Sequence, residues 1–296
     1  MIFSRRSFIK NTSILTAGIL LPTNRLLNAL QNEPGNMKIL RGNVGLYTER
    51  GGTIGWQISD DAIVVVDSQF PDTARNFMSM VIDKTKRKID FVINTHHHAD
   101  HTSGNYMLNK ITDKIIAHEN AVKLQKQFYG KGDTKESQVY ANITFSKEWS
   151  TTIGNQTITA SYFKPAHTSG DIYVFFENEN IVHLGDLVFN RVYPYIDRPG
   201  GSNISGWIEY LDKISQQFDG DTIFIFGHGS SVTGKVDDII YMRNYLTALL
   251  DTVKKEILLG KSQEEIESLK VIPGFENHDG TRIKNNLTAA YEELTI

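Results

Sequence analysis

The sequence predicts an α/β layered domain, and three observations carry that prediction. Short, continuously apolar and β-branched runs such as Ala62–Ser68, "AIVVVDS", and Phe91–Thr95, "FVINT", have the pattern of strands buried on both faces. Amphipathic helical stretches follow them. The strands fall into two groups, each with its own helices, which is how layered α/β domains are assembled.

In chain order, "KILRGNVGLYTE" and "GGTIGWQIS" read as strands leading into Ala62–Ser68. "PDTARNFMSMVIDKTKRK" reads as a helix, with Pro71 in its first turn and Phe77, Met80 and Val81 on one face. "FVINT" is the next strand and delivers His96. "KIIAH" and the helical "ENAVKLQKQF" follow, then a strand pair around Gly154 and Asn155, and the strands "DIYVFF" and "IVHLGDL". A helix over "ISGWIEYLDKISQQF" leads to "TIFIFGHG". Ile239, Met242, Leu246, Leu249, Val253 and Ile257 then mark a long amphipathic helix.

With 296 residues, 40% hydrophobic and 22% charged, the chain can bury one large core. No linker rich in Pro, Gly or Ser interrupts residues 37–296, so one domain that includes the C-terminal helices is expected there. The formal charge of −3 and the lack of a long Lys/Arg run argue against nucleic acid as a partner. There is no cysteine, which excludes disulfides, thiolate metal ligands and a cysteine nucleophile. Any metal must be held by nitrogen and oxygen.

The first residues have a different character. "SRRSFIK", Ser4–Lys10, precedes a short apolar run, Ser13–Leu21, that is too short to span a bilayer, so no stable membrane anchor is expected. The stretch resembles a twin-arginine export signal. That resemblance implies a signal segment over residues 1–29, a linker over 30–36, recognition of the precursor by the twin-arginine machinery, and a periplasmic or secreted mature protein. Cleavage after Ala29 removes Arg5, Arg6, Lys10 and Arg25 and no acid, lowering the formal charge from −3 by four, to −7.

The chemistry concentrates in "NTHHHADHTSGN", Asn94–Asn105, which holds four of the nine histidines. His96 and His98 are two apart, so in extended backbone they leave the same side of the chain while His97 points away. That suits one metal. Asp100 and His101 come where the chain turns into a helix and diverge enough to reach a neighbouring one. Zinc accepts imidazole and carboxylate, usually with four ligands, and a catalytic site keeps one position for water. Further ligands must come from elsewhere, and three strand ends supply candidates: His167 in "KPAHTSGD", Asp186 in "VHLGDLVF" and His228 in "IFGHGSS". His97, His118, His183 and His278 read as structural or solvent-exposed.

His96-x-His98-x-Asp100-His101, followed by His167, Asp186 and His228, resembles the ligand set of the metallo-β-lactamase-fold hydrolases. The resemblance implies a four-layer αβ/βα sandwich with two Zn2+ per chain at one edge between the sheets. On that reading His96, His98 and His167 hold the first ion, Asp100, His101 and His228 the second, and Asp186 bridges them. Asp67, which ends the "IVVVD" strand, is implied as a support for the ligand loop. Two zinc ions about 3.5–4 Å apart share a water and lower its pKa towards neutrality, supplying hydroxide as the nucleophile. Asp100 is placed to orient that hydroxide and carry its proton.

The reaction expected is cleavage of a small ester, lactone, thioester or amide by an exported enzyme. Hydrolysis of β-lactams is the alternative within the family, although zinc β-lactamases usually have Cys or Ser where this chain has Asp186. A non-catalytic metal-binding protein is a further alternative, disfavoured because all seven ligand positions are filled. Diiron flavoproteins of the same superfamily have glutamate at the position of His98, and a Ser/His/Asp triad lacks its Gly-x-Ser-x-Gly elbow here. For substrate contacts the loop Asn190–Trp207 offers Arg191, Tyr193, Tyr195 and Arg198, with the hairpin "YTERGGTIGW" as an opposite wall.

Overall fold

The computed structural model describes residues 35–85, 87–132 and 137–295. The expected signal segment, 1–29, and residues 30–34 of the expected linker lie outside them.

Seven strands make the first sheet in chain order: Asn36–Arg41 (β1), Val44–Thr48 (β2), Ile54–Ile58 (β3), Ile63–Val66 (β4), Phe91–Asn94 (β5), Ile115–His118 (β6) and Ile143–Phe145 (β7). β1 to β4 pair antiparallel, and β4 to β7 run parallel. The following strands are Glu148–Ile153 (β8), Gln156–Tyr162 (β9), Ile172–Phe176 (β10), Ile181–His183 (β11), Phe189–Asn190 (β12), Ile223–Ile225 (β13), His228–Gly229 (β14) and Thr233–Gly234 (β15). The second sheet has the order β15-β13-β11-β10-β9-β8, while β12 and β14 form a separate parallel pair. The helices are Pro71–Lys84 (α1), Ala99–Thr102 (α2), Asn105–Leu108 (α3), Glu119–Tyr129 (α4), Ile204–Gln217 (α5), Val236–Leu258 (α6), Gln263–Glu267 (α7) and Ile283–Thr295 (α8).

Strand alternation builds the layers. In β4, Val64 and Val66 face the second sheet, where they meet Ile172, Val174 and Phe176 of β10. Ile63 and Val65 face the other way, onto Phe77 and Val81 of α1 and Ala121 of α4. β10 repeats the scheme, its Tyr173 joining the layer of α5, α6 and α8. Both sheets are therefore covered on both faces, which explains why β4 has no polar position to mark an outside. The architecture is the expected four-layer sandwich: helices, sheet, sheet, helices.

The long helix α6 follows its expected stripe, with Ile239, Met242, Leu246, Leu249 and Val253 buried and Ile257 at the margin. Each fully buried side chain of this kind contributes roughly 1.5–3 kcal/mol, so the helix is held by its face more than by its propensity. α1 is shorter than the sequence suggests. It ends at Lys84, and Thr85 is extended, because "KTKRK" offers no apolar residue to continue the buried face.

Candidate metal centre

The ligand candidates converge where the C-terminal ends of β5, β11 and β13 meet at one edge of the two sheets, as α/β sites commonly do. β5 releases the chain into Thr95–His98, and the polypeptide then winds into α2, which carries Asp100 and His101. Asp186 sits in a tight turn after β11, His228 begins β14 beside Phe189, and His167 lies between β9 and β10. Two glycines admit the crowding. A Cβ on Gly52 would lie 2.2 Å from the His101 ring, and one on Gly227 would lie 2.0 Å from Asp186 Oδ1. The hairpin between β2 and β3 thus packs directly on the site, where Gly52 N–H also donates to the Asp100 carbonyl.

Among the described residues three groups could each hold a metal ion: His96, His98, His167 and Asp186; Asp100, His101 and His228; and His97, His98 and Asp197, of which the first two carry the expected ligands. In the first, His98 Nδ1 is 3.0 Å from His96 Nε2 and 3.1 Å from His167 Nε2. Asp186 Oδ2 is 3.8 Å from His96 Nε2 and 3.5 Å from His167 Nε2. In the second, His228 Nε2 is 3.1 Å from Asp100 Oδ2 and 3.4 Å from His101 Nε2. Asp186 joins this set as well, with Oδ1 3.1 Å from His101 Nε2 and Oδ2 3.5 Å from His228 Nε2.

The surrounding hydrogen bonds determine which nitrogens face inward. His167 Nδ1 donates to the Tyr195 carbonyl at 2.7 Å, leaving Nε2 as a lone pair. His98 Nε2 donates to Asp197 Oδ2 at 3.0 Å, leaving Nδ1 as a lone pair. Thr95 gives its one hydroxyl proton to Asp67 Oδ2 and accepts from His96 Nδ1, so His96 Nε2 is bare. His101 Nδ1 donates to Asp67 Oδ2 at 2.7 Å, with the same result for its Nε2. Four imidazole lone pairs and a carboxylate facing one another repel unless a cation lies among them. The buried Asp186 carboxylate, facing these imidazoles through both its oxygens, points to the same requirement. The donor set is nitrogen and oxygen throughout, which fits zinc.

The electrostatics follow from burial and this crowding. Burial and neighbouring imidazoles hold His167 down to about 3, and His96 is lowered well below its usual value for the same reasons. Burial opposes the charged form of Asp186, but His228, His101 and His96 outweigh it and hold the carboxyl well below the usual range. His101 goes the other way, because Asp186, Asp67 and Asp100 overcome its burial, so its inward Nε2 holds a proton that a bound metal ion would displace.

Asp67 accepts from Thr95 N–H at 2.8 Å, from the Thr95 hydroxyl and from His101. Its φ of +64° is rare for a residue with a side chain and is tolerated because three donors hold the carboxylate. Of the substrate-contact candidates, Tyr195 lies at the cluster, its ring 5.6 Å from that of His98. Tyr193 does not. It is buried against Tyr245 and His278, because the loop turns its apolar side into the helical core. Arg198 is also turned away, bonded to the Ser202 carbonyl and to Glu293 of α8. Arg191 pairs with Asp238.

The sequence reading did not single out Asp197. It accepts from His98 Nε2 and from Gly200 N–H, and it lies 3.6 Å from His97 Nε2. The one signal in the sequence is an acid inside the Gly-rich stretch already marked by Tyr195 and Arg198. His97 lies outside the two expected ligand sets but turns inward, grouped with His98 and Asp197 and stacked on Phe128 at 5.4 Å. His118 caps α4, His183 bonds the Thr53 carbonyl, and His278 stacks on Tyr241 and Tyr245.

Residues 48–228 match the metallo-beta-lactamase superfamily. A metallo-beta-lactamase type 2 of Bacillus cereus is 25% identical over 213 residues, covering 68% of this chain and 79% of that protein. A hydroxyacylglutathione hydrolase of Crocosphaera subtropica is 29% identical over 141 residues, covering 44% of this chain and 47% of that protein. Among solved structures, a stereoselective inverting sec-alkylsulfatase from Pseudomonas sp. superposes with a TM-score of 0.70 at 14% identity, over 88% of this chain. This chain spans half of the sulfatase, so that likeness concerns the fold alone. The matched span contains every one of the converging histidines and aspartates, and the chain belongs to the metallo-beta-lactamase superfamily.

Proposed function

We propose that this chain is an exported dinuclear zinc hydrolase that cleaves a small ester, lactone, thioester or amide. The observation that carries the reading is the pair of adjacent ligand sets, with Asp186 in the first and 3.1 Å from His101 of the second, and with the inward nitrogens already selected by Asp67, Thr95, Asp197 and the Tyr195 carbonyl. When bound, two zinc ions supply a water acidified to near neutral pKa and Lewis-acid polarisation of the scissile carbonyl. The chain's own groups do the rest. His96, His98, His167 and Asp186 hold the first position rigidly in a dry pocket. Asp100, on the open side, accepts a hydrogen bond from the attacking water, orients it, and can pass its proton towards the leaving group. Tyr195 forms part of the wall against which the substrate packs.

Zinc loading of the mature protein, metal analysis, and kinetics on lactones, thioesters, activated esters and β-lactams test this reading. Two zinc ions per chain with turnover of an ester or lactone is the expected result. One tightly bound ion with the second set empty under excess zinc defeats it.

β-Lactam hydrolysis is the second reading, favoured by the similarity to the Bacillus cereus enzyme. Asp186 argues against it as the main activity. A carboxylate shared by both sets adds negative charge between the metals and weakens them as Lewis acids. A kcat/KM near 10⁶ M⁻¹s⁻¹, typical of an efficient enzyme, on any β-lactam with negligible ester cleavage would reverse the order.

Export through the twin-arginine route, with a periplasmic or secreted mature protein, completes the proposal. Among the described residues no helix is long and apolar enough to cross a membrane. Replacing both Arg5 and Arg6 by Lys is expected to leave the precursor in the cytoplasm, as cell fractionation would show.

A further inference from the structure

We infer that Arg282 selects substrates carrying a negative charge beside the scissile acyl group, an inference that rests on the hydrolase reading above. Its guanidinium carbon lies 5.8 Å from the ring centroids of both Phe189 and Tyr195. Those two rings touch the two ligand sets: Phe189 stacks on His228 at 5.4 Å, and Tyr195 lies 5.6 Å from His98. A cation in contact with both rings therefore stands at the mouth of the metal centre.

The other arginines that the site's loops offer are committed to carboxylates. Arg50 pairs with Asp72, Arg191 with Asp238, and Arg198 with Glu292 and Glu293. Arg282 is exposed and, among the described residues, has ring contacts and no acidic partner. It is also held in place from both sides. Before it, Tyr193 N–H donates to the Asp279 carbonyl at 2.9 Å. After it, Asn285 brackets Ile196 through both its backbone groups, and Asn286 Nδ2 donates to the Pro194 carbonyl at 2.7 Å. The segment carrying the charge is thus fixed to the segment carrying Tyr195. A guanidinium offers a planar pair of donors that matches a carboxylate, and it lies against low-dielectric aromatic walls that strengthen such a contact.

The test compares two activated esters with the same leaving group, the para-nitrophenyl esters of butyrate and of succinate half-acid, on zinc-loaded wild type and on Arg282→Gln and Arg282→Lys. The ratio of kcat/KM, charged over neutral, is expected to fall about tenfold to a hundredfold in the Gln variant, mainly through KM, and to recover partly in the Lys variant. A ratio that is the same in wild type and the Gln variant overturns the inference. Calorimetric titration of succinate into the same proteins gives a readout without turnover. A comparable loss of affinity in the Gln variant supports the inference, and equal affinity refutes it. If wild type cleaves neither these esters nor the lactones, thioesters and β-lactams above, the hydrolase reading fails, and the succinate titration still decides the role of Arg282.

Discussion

The two ligand sets are built from the same chemistry and differ in how firmly they are held. In the first, His96 and His167 are 1% and 0% exposed, and each of the three imidazoles has its outer nitrogen tied to a threonine, a carboxylate or a carbonyl. In the second, His101 is tied to Asp67 in the same manner, but Asp100 and His228 are 28% and 27% exposed. Among the described residues nothing bonds His228 Nδ1, and Phe189 alone braces that ring by stacking. One set is preorganised by its surroundings, whereas the other leaves two of its ligands free to adjust. A hydrolytic centre needs both properties, since the first fixes the geometry and the second admits substrate and water.

The largest effect expected from breaking this asymmetry is at His98, which touches both His96 and His167. His98→Ala should abolish turnover while far-ultraviolet circular dichroism stays native, because the fold rests on the sandwich core. His97→Ala should lose far less activity at matched metal content, since its ring lies outside both sets. Equal losses from the two would show that the facing of this segment has been misjudged.

Removal of metal sharpens the comparison next. Titrating a chelator into the fully loaded protein should release the ion of the open set well before the ion of the buried set, in two resolved steps followed by metal analysis. A single step would mean that the two sets are held equally.

Asp197→Asn isolates the buried set's support. The amide can no longer stabilise the donating Nε2 of His98 as a carboxylate does, and metal affinity should fall by roughly 10–100-fold. The same change should leave the open set's affinity close to wild type, a split that cobalt substitution would reveal spectroscopically.

The smallest effect belongs to the scaffold behind the loop. Glu293 of α8 accepts from the N–H groups of Ile204 and Ser205 and from the Ser205 hydroxyl, capping α5 from a distant part of the chain. Glu293→Ala should cost about 1–3 kcal/mol, visible as a lower midpoint in urea. Metal affinity should be almost unaffected if the loop carrying Asp197 stays anchored by Asn285 and Asn286.

Much of this is legible in the chain itself. The cluster His96–His101 and the three further candidates followed by small residues, His167, Asp186 and His228, are local patterns, and β-branched runs such as Ile63–Val66 announce strands buried on both faces. The α6 stripe follows from helical periodicity in the same way. These features depend on neighbours within a few residues, and a linear sequence displays them directly.

The supporting groups required the fold. Asp197 reaches His98 across 99 residues, and Arg198 reaches Glu293 across 95. An acid or an arginine in a polar loop has no periodicity to betray its partner. Tyr193 and Tyr195 are two residues apart and chemically alike, yet one is buried against Tyr245 and the other stands beside His98. That choice is made by α8, whose asparagines grip the loop between them. The sequence by itself determined the layered architecture and the converging donors. Tertiary structure alone decided which nitrogens face inward and which cations stay unpaired, because both depend on groups that meet only after the sheets have closed.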